Sequence, residues 1–324
     1  MKLKLRLLSC LMYFSTFMPR HKYFLTLVKN IPNHYVKNIM LNLIDPNSIR
    51  KLRRINPKYK LIKVKILNSI LIVDLNDHIG FRTYVNGKFD DTIINIGNEL
   101  SINHQDLILD IGAHVGTVGI PFAKYFGCEL IAIEGSYKNA SLLLLNLELN
   151  QIKSRVYVEC LNDVQKKNSY FTKIYYQSGN SGATSVHKNW NVSKQESQFQ
   201  YSHSIILDKL IDDETLSRIK IIKLDVEGSE LKVIRGFTKI KKYQGVLVFE
   251  YRPSLMNKLS KNSAAALIKE INRNFLIFGI EFEKNNLILS KFDPRKSQEN
   301  CIALPKKRIN YYRNKFDFKP QLAR

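Results

Sequence analysis

"LILDIGAHVGTVGIPF", residues 107–122, decides how this chain reads. An apolar run ends in an acid, three glycines follow within eight residues, and a second apolar run begins. Strand, tight turn and helix in that order form the opening unit of an open α/β sheet, where ligands sit beyond the carboxyl ends of the strands. A dinucleotide site wants G-x-G-x-x-G, so that the second glycine lets the backbone approach a pyrophosphate. Here Gly112, Gly116 and Gly119 are spaced differently, and His114 occupies the place of the second glycine. A phosphate loop wants GxxxxGK[ST], and no such lysine follows. A ligand without phosphates that still packs on the turn fits better, and S-adenosylmethionine is one. Asp110 at the strand end would hold its ammonium or a water, and Gly112 and Gly116 would give room for its carboxypropyl and ribose parts.

Glu134 ends the next apolar run, in "LIAIEGS", 24 residues after Asp110. An acid at that strand end accepts hydrogen bonds from both ribose hydroxyls in dinucleotide and S-adenosylmethionine sites alike. Asn162-Asp163, after a third run, is placed to reach an adenine edge. The candidate cofactor set is Asp110, Gly112, Ala113, His114, Gly116, Glu134, Gly135 and Asp163.

Strands alternating with helices of 10–15 residues predict a mostly parallel sheet covered on both faces. Strands are expected at 107–111, 130–134, 156–160, 219–224, 246–249, 275–280, 287–290 and 301–304. Helices are expected at 115–126, 137–151, 208–216, 229–237 and 264–274. In 137–151, Leu142, Leu145 and Leu149 are read as the buried stripe. Before the glycine turn, 62–74 and 78–85 read as strands joined at 75–77, and 91–100 as a short helix or loop. Segments 171–177 and 199–206 read as hairpin strands flanking a polar loop, whose part "SGNSGATS" (178–185) would cover the site as a lid.

The chain has 324 residues, 44% of them hydrophobic, and a net charge of +23. The charge is uneven: residues 1–66 carry +14, residues 301–324 carry +6, and residues 67–300 only +3. A neutral body with basic ends suits an anionic surface such as lipid, acidic glycan or nucleic acid, or simply solvated tails. Residues 1–66 are expected as a basic helical extension and 306–324 as a basic tail, with the catalytic domain between. No apolar run is long enough for a conventional membrane span. Residues 7–18 start like a signal peptide but lack a small-x-small cleavage site, so an amphipathic helix is expected there. Four isolated cysteines argue against a disulfide framework or structural zinc, which points to the cytoplasm, peripheral to a membrane if the basic ends bind one.

The segments "YVNGKFDD" (84–91), "LILDIGAHVGTVGI" (107–120), "IAIEGSYKNASLLLLNLELN" (131–150), "SIILDKLID" (204–212), "IKIIKLDVEGSELKVIRGF" (219–237) and "NCIALP" (300–305) together resemble the FkbM-type methyltransferases. That family is a branch of the class I, Rossmann-like S-adenosylmethionine-dependent enzymes. The likeness spans roughly 67–305 and is most diagnostic at 219–237. His114 and Thr117 stand where the family often has asparagines, and Asp90 or Asp91 where it commonly has glutamate. The resemblance implies O-methylation, on a sugar, glycan or secondary metabolite. Asp225 and Glu227, just past the fourth strand, become the candidates to orient an acceptor hydroxyl and take its proton. Read structurally instead, Asp225 holds the cofactor's amino group and Glu230 caps the helix. Glu250 and Arg252 are placed to face an acceptor pocket, His114, His187 and His203 are further base candidates, and no cluster at ligand spacing demands a metal.

Two other functions remain open at this point. The basic ends would neutralise phosphates in a nucleic-acid methyltransferase, although Asp225 and Glu227 would repel them. A non-catalytic membrane-surface module would share the fold, although Asp110, Gly112 and Glu134 are all intact.

Overall fold

The computed structural model describes residues 61–75, 77–87, 91–164, 170–177, 180–188, 198–284 and 286–319. Most of the expected N-terminal extension, and Asp90, lie outside these residues.

The first two elements, β1 (Leu61–Ile66) and β2 (Ser69–Asp74), form an antiparallel hairpin turning at Leu67-Asn68. Val64, Ile66, Leu71 and Val73 alternate inward. The expected strand at 78–85 is instead a helix, α1 (His78–Asn86). Its β-rich composition misleads, because Asp77 caps it by accepting from Ile79 N–H and Gly80 N–H, and Gly87 ends it at φ +66°. Helix α2 (Thr92–Glu99) follows as expected.

The α/β core then runs β3 (Leu107–Ile111), α3 (Gly119–Phe126), β4 (Glu129–Ile133), α4 (Tyr137–Asn150) and β5 (Ser154–Tyr157). A second, four-stranded sheet is inserted here, in the order β6-β9-β7-β8, from β6 (Cys160–Leu161), β7 (Phe171–Gln177), β8 (Asn180–Ser185) and β9 (Gln198–Ile205). Two short helices, α5 (Leu207–Leu210) and α6 (Asp213–Arg218), replace the single expected helix and lead into β10 (Ile219–Leu224) and α7 (Glu230–Arg235). The chain continues through β11 (Val246–Tyr251), α8 (Pro253–Leu259), α9 (Ser263–Ile271), β12 (Phe275–Glu283), β13 (Asn286–Lys291) and β14 (Gln298–Pro305). It closes with α10 (Ile309–Arg313) and β15 (Asp317–Phe318).

The main sheet has nine strands in the order β15-β13-β12-β14-β11-β10-β3-β4-β5. It is mixed, which corrects the mostly parallel expectation. Strands β11, β10, β3, β4 and β5 run parallel, while β14 pairs antiparallel with β11, β12 antiparallel with β14 and β13 antiparallel with β12. Parallel strands need crossover helices, whereas the short turns after β12 permit direct reversal.

Side chains alternate across the sheet into two separate cores. Leu107, Leu109 and Ile111 of β3 pack with α7, α9 and Phe275 on one face, and Ile108 packs with α2, α3, α4 and the β1–β2 hairpin on the other. Both faces are thus covered, which is why all of β3 and β4 is buried.

Helix α4 corrects the expected leucine stripe. Leu144, Leu145 and Leu149 are exposed, while Asn139, Ala140, Leu143, Asn146, Leu147 and Asn150 face inward. The asparagines earn burial by acting as a strand edge. Asn146 accepts from Ile72 N–H (2.7 Å) and donates to Ile72 O (3.0 Å), and Asn150 pairs with Ile70 in the same way (2.8 and 2.7 Å). Part of the expected C-terminal tail also packs: Tyr312 and Phe316 are buried in the second core, and the Tyr312 hydroxyl donates to Gln244 O (2.6 Å).

Candidate active site

The parallel strands β4, β3, β10 and β11 end on one side of the sheet, around the point where strand order reverses between β3 and β10. A cavity of about 420 Å³ opens there. Such a volume suits a small molecule.

The turn after β3 is built by backbone contacts. Gly112 and Ala113 N–H both donate to Ile133 O, and Asp225 N–H donates to Ile111 O, tying the ends of β3, β4 and β10 together. Gly112 sits at φ +83°, and a Cβ there would lie 1.7 Å from Asp225 O. Its glycine is demanded by the neighbouring strand end rather than by a ligand. Gly116, at φ +88°, is likewise crowded by Ile120 and Leu143 and does not line the cavity. Of the two glycines expected to make room for the cofactor, Gly112 lines the cavity and Gly116 does not.

Asp110 is 1% exposed. Its Oδ2 accepts from Gly119 N–H (3.1 Å), while Oδ1 lies 3.6 Å from Lys223 Nζ with no hydrogen bond of its own. Lys223 stands opposite Asp110 in the β3–β10 register and also reaches Asp225 Oδ2 at 3.2 Å. Burial raises the Asp110 carboxyl above its ordinary range, and the Lys223 ammonium opposes that shift.

Glu134 carries its carboxylate back over the turn. Oε2 accepts from His114 N–H (2.8 Å), and Oε1 accepts from Ser136 N–H (2.8 Å) and Asn139 Nδ2 (3.4 Å). Burial raises its pKa, and these donors restrain the rise. His114 adopts φ +54° and places Nε2 2.7 Å from Ser181 Oγ. Burial lowers its pKa, favouring the neutral ring, and its buried Nδ1 has no hydrogen-bond partner.

The turn after β10 is also strained, with Glu227 at φ +50° followed by Gly228 at φ +97°. Glu230 holds it. Its Oε1 accepts from Val226 N–H (3.1 Å) and Gly228 N–H (3.2 Å), so the residue braces the turn from the start of α7. Burial pushes the Glu230 carboxyl up to about 7. Asp225 and Glu227 meet Glu250 of β11, and one oxygen of each lies within 4.8 Å of the others. Three carboxylates this close cannot all ionise cheaply. Burial, then Asp225 and Glu227, push Glu250 up to about 9, against the pull of Arg252, whose Nη2 lies 2.5 Å from Glu250 Oε1.

The cavity thus gathers Asp110, Gly112, Ala113, His114, Glu134, Gly135, Asp225 and Glu227, together with Glu250 and Arg252. Asp163, beyond β6, is not in its wall. His187 and His203 also lie outside it, the latter with Nδ1 2.5 Å from Glu159 Oε2. The expected lid at 178–185 is, from Asn180, the strand β8, and its residues 180–185 wall the cavity. Ser181 belongs to the expected lid, whereas the parts played by Lys223 and Asp77 were not foreseen. A lysine inside the apolar run "IKIIKLD" was a signal, since a buried lysine requires a carboxylate partner. Ser181 N–H donates to the Asp77 carboxylate, a contact between distant segments that left no trace in sequence.

Six carboxylates, Asp110, Glu134, Glu159, Asp225, Glu227 and Glu250, line the cavity against Arg82, Lys223 and Arg252. An acid-rich pocket in a chain of net charge +23 suits a cationic ligand and repels phosphate. S-adenosylmethionine, with a sulfonium and an ammonium, fits this donor set. The unbonded Asp110 Oδ1 and His114 Nδ1 are buried polar atoms that a polar ligand can satisfy.

No curated protein matches the chain by sequence. Among solved structures, it is similar to a tRNA (uracil-54, C5)-methyltransferase of Pyrococcus abyssi in complex with S-adenosyl-L-homocysteine, at 13% identity and TM-score 0.35 over 76% of this chain and 44% of that one. TYW2 of M. jannaschii in complex with AdoMet gives 12% identity and TM-score 0.36 over 76% and 86%. A precorrin-6y C5,15-methyltransferase of Geobacter metallireducens gives 10% and 0.34 over 66% and 87%. The family described as methyltransferase FkbM domain matches residues 110–304, from the buried acid of β3 to the end of β14. With more than half its length inside that match, the chain belongs to the FkbM methyltransferase family and is an S-adenosylmethionine-dependent methyltransferase.

Proposed function

We propose that the chain methylates a hydroxyl group of a sugar, glycan or secondary metabolite, giving a methyl ether. The observation that carries this reading is the carboxylate trio beside the cofactor turn, Asp225, Glu227 and Glu250, of which burial and its two neighbours keep Glu250 protonated. When bound, S-adenosylmethionine supplies a methyl group that its sulfonium already makes electrophilic. The remaining work is to hold the acceptor oxygen in line and to receive its proton. Asp225, braced by Lys223, and Glu227, fixed by the turn that Glu230 holds, are placed for both tasks. Glu134 and Asp110 would hold the cofactor's diol and ammonium. An RNA acceptor is disfavoured, because six carboxylates line the pocket that a phosphate backbone would have to approach.

The test is transfer of labelled methyl from S-adenosylmethionine to cell-envelope glycans and hydroxylated metabolites, followed by base treatment of the product. Label that survives base and sits on oxygen supports the reading. Base-labile label, or label on nitrogen or carbon, overturns it.

A further inference from the structure

The small sheet that walls the cavity has a second face. In the β7–β9 register, Phe171, Lys173 and Tyr175 lie opposite His203, Tyr201 and Phe199. Their alternating neighbours point the other way, with Ile174 and Ser202 buried and Ile174 lining the cavity. On the outer face Phe171, Phe199 and Tyr201 are 59%, 49% and 55% exposed, and neighbouring Tyr170 is 48% exposed. Single exposed apolar residues are ordinary, but a contiguous aromatic face marks an interaction surface.

The ring geometry selects the partner. Bases and sugars stack on open, similarly oriented ring faces. Here Phe199 and Tyr201 meet edge to face at 89°, Tyr175 is tilted 56° to Phe199, Phe171 meets His203 at 79°, and Tyr170 and His203, near-parallel at 10°, stack on each other. Lys173 Nζ sits 4.5 Å from the centre of the Phe199 ring, covering one of its faces. Partition into a bilayer interface needs no ring alignment. It needs exposed aromatic area with a cation among it, whose charge reaches the headgroups. The charge also fits: the described residues 170–177, 180–188 and 198–204 carry Lys173 and Lys188 and no acid. We propose that the outer face of β7 and β9 rests on an anionic phospholipid surface, with its rings at the headgroup–acyl boundary and Lys173 among the headgroups. The active cavity lies behind the same strands, so an enzyme seated this way works beside the membrane, whatever its acceptor.

The test is flotation of the full chain with phosphatidylcholine vesicles, with and without phosphatidylserine. The wild-type chain is expected to float with the anionic vesicles and to be released by salt. The triple variant Phe171→Ser, Phe199→Ser, Tyr201→Ser is expected to lose about tenfold or more in partition, with S-adenosylhomocysteine binding retained. Lys173→Glu, a single change at an exposed side chain that decides the matter if the triple variant does not fold, is expected to lose about threefold or more. Partition unchanged in these variants would place any membrane contact elsewhere, on the basic ends, and overturn the proposal. So would a wild-type chain that stays in solution, or a triple variant that instead loses binding to an oligonucleotide or an oligosaccharide.

Discussion

Asp225 and Glu227 stand two residues apart on a strained turn, and the chemistry assigned to them is separable from their packing. Replacing both, as Asp225→Asn with Glu227→Gln, removes the proposed proton acceptors while keeping side-chain volume. It is expected to lower kcat by about a hundredfold to ten-thousandfold and to leave S-adenosylhomocysteine affinity nearly unchanged, as initial rates and calorimetry would show. Glu250 makes a different prediction. Its folded carboxyl titrates at about 9 against an ordinary 4.5. Between those values the folded chain keeps a proton that the unfolded chain has released, so this group's contribution to stability falls as pH rises through that window. Glu250→Gln removes the titration, and urea midpoints measured from pH 5 to 9 should decline less steeply in the variant than in the wild type. Asp110, Glu134, Asp225 and Glu227 were legible in the sequence because each ends or follows an apolar run. The partner of Lys223 and the Ser181–His114 contact were not, since pairing across strands is a property of register, which the local pattern does not state.

At the scale of elements, two positions show how tightly the site depends on its supports. Gly112→Ala would force a side chain into a left-handed backbone and against Asp225 O. The left-handed conformation alone costs about 1–2 kcal/mol, and the collision adds to it, so chemical denaturation should show a loss larger than that figure, or no folded protein. Asn146→Leu fits the helix but strands Ile72 N–H, Ile72 O and Val115 O. A loss of about 1–3 kcal/mol is expected for leaving buried backbone groups unpaired. The same asparagines explain why α4 was misread. Leucines at helical spacing normally mark the buried side, yet here the inward face is the one whose asparagines pair with a strand, so Leu143 and Leu147 are buried while Leu145 and Leu149 of the expected stripe are exposed. Strands β3, β4, β10 and β11 were legible because burial on both faces writes a continuous apolar run, whereas half-buried β5 at Ser154–Tyr157 falls earlier than the expected 156–160. Helix α1 was not, because a carboxylate cap and the strand packed beside it outweighed β-rich composition.

Across the whole molecule, charge separates from chemistry. The cavity is acidic while the chain is strongly basic, and most of the excess lies in the two ends. No helix among the described residues is long and apolar enough to cross a membrane. The C-terminal end does more than carry charge, because Tyr312 and Phe316 complete the second core. Ending the chain at Pro305 should cost about 3–5 kcal/mol for two large side chains withdrawn from burial, visible as a lower thermal midpoint. The central claim is that the pocket takes an adenosine-type methyl donor and rejects a dinucleotide. Calorimetric titration of the full chain with S-adenosylhomocysteine and, separately, with NADH tests it most directly. The account predicts one site for S-adenosylhomocysteine, with a dissociation constant on the order of micromolar that Glu134→Ala weakens about tenfold or more, and no heat with NADH. Silence with S-adenosylhomocysteine at millimolar concentration, or equal binding of NADH, would contradict it.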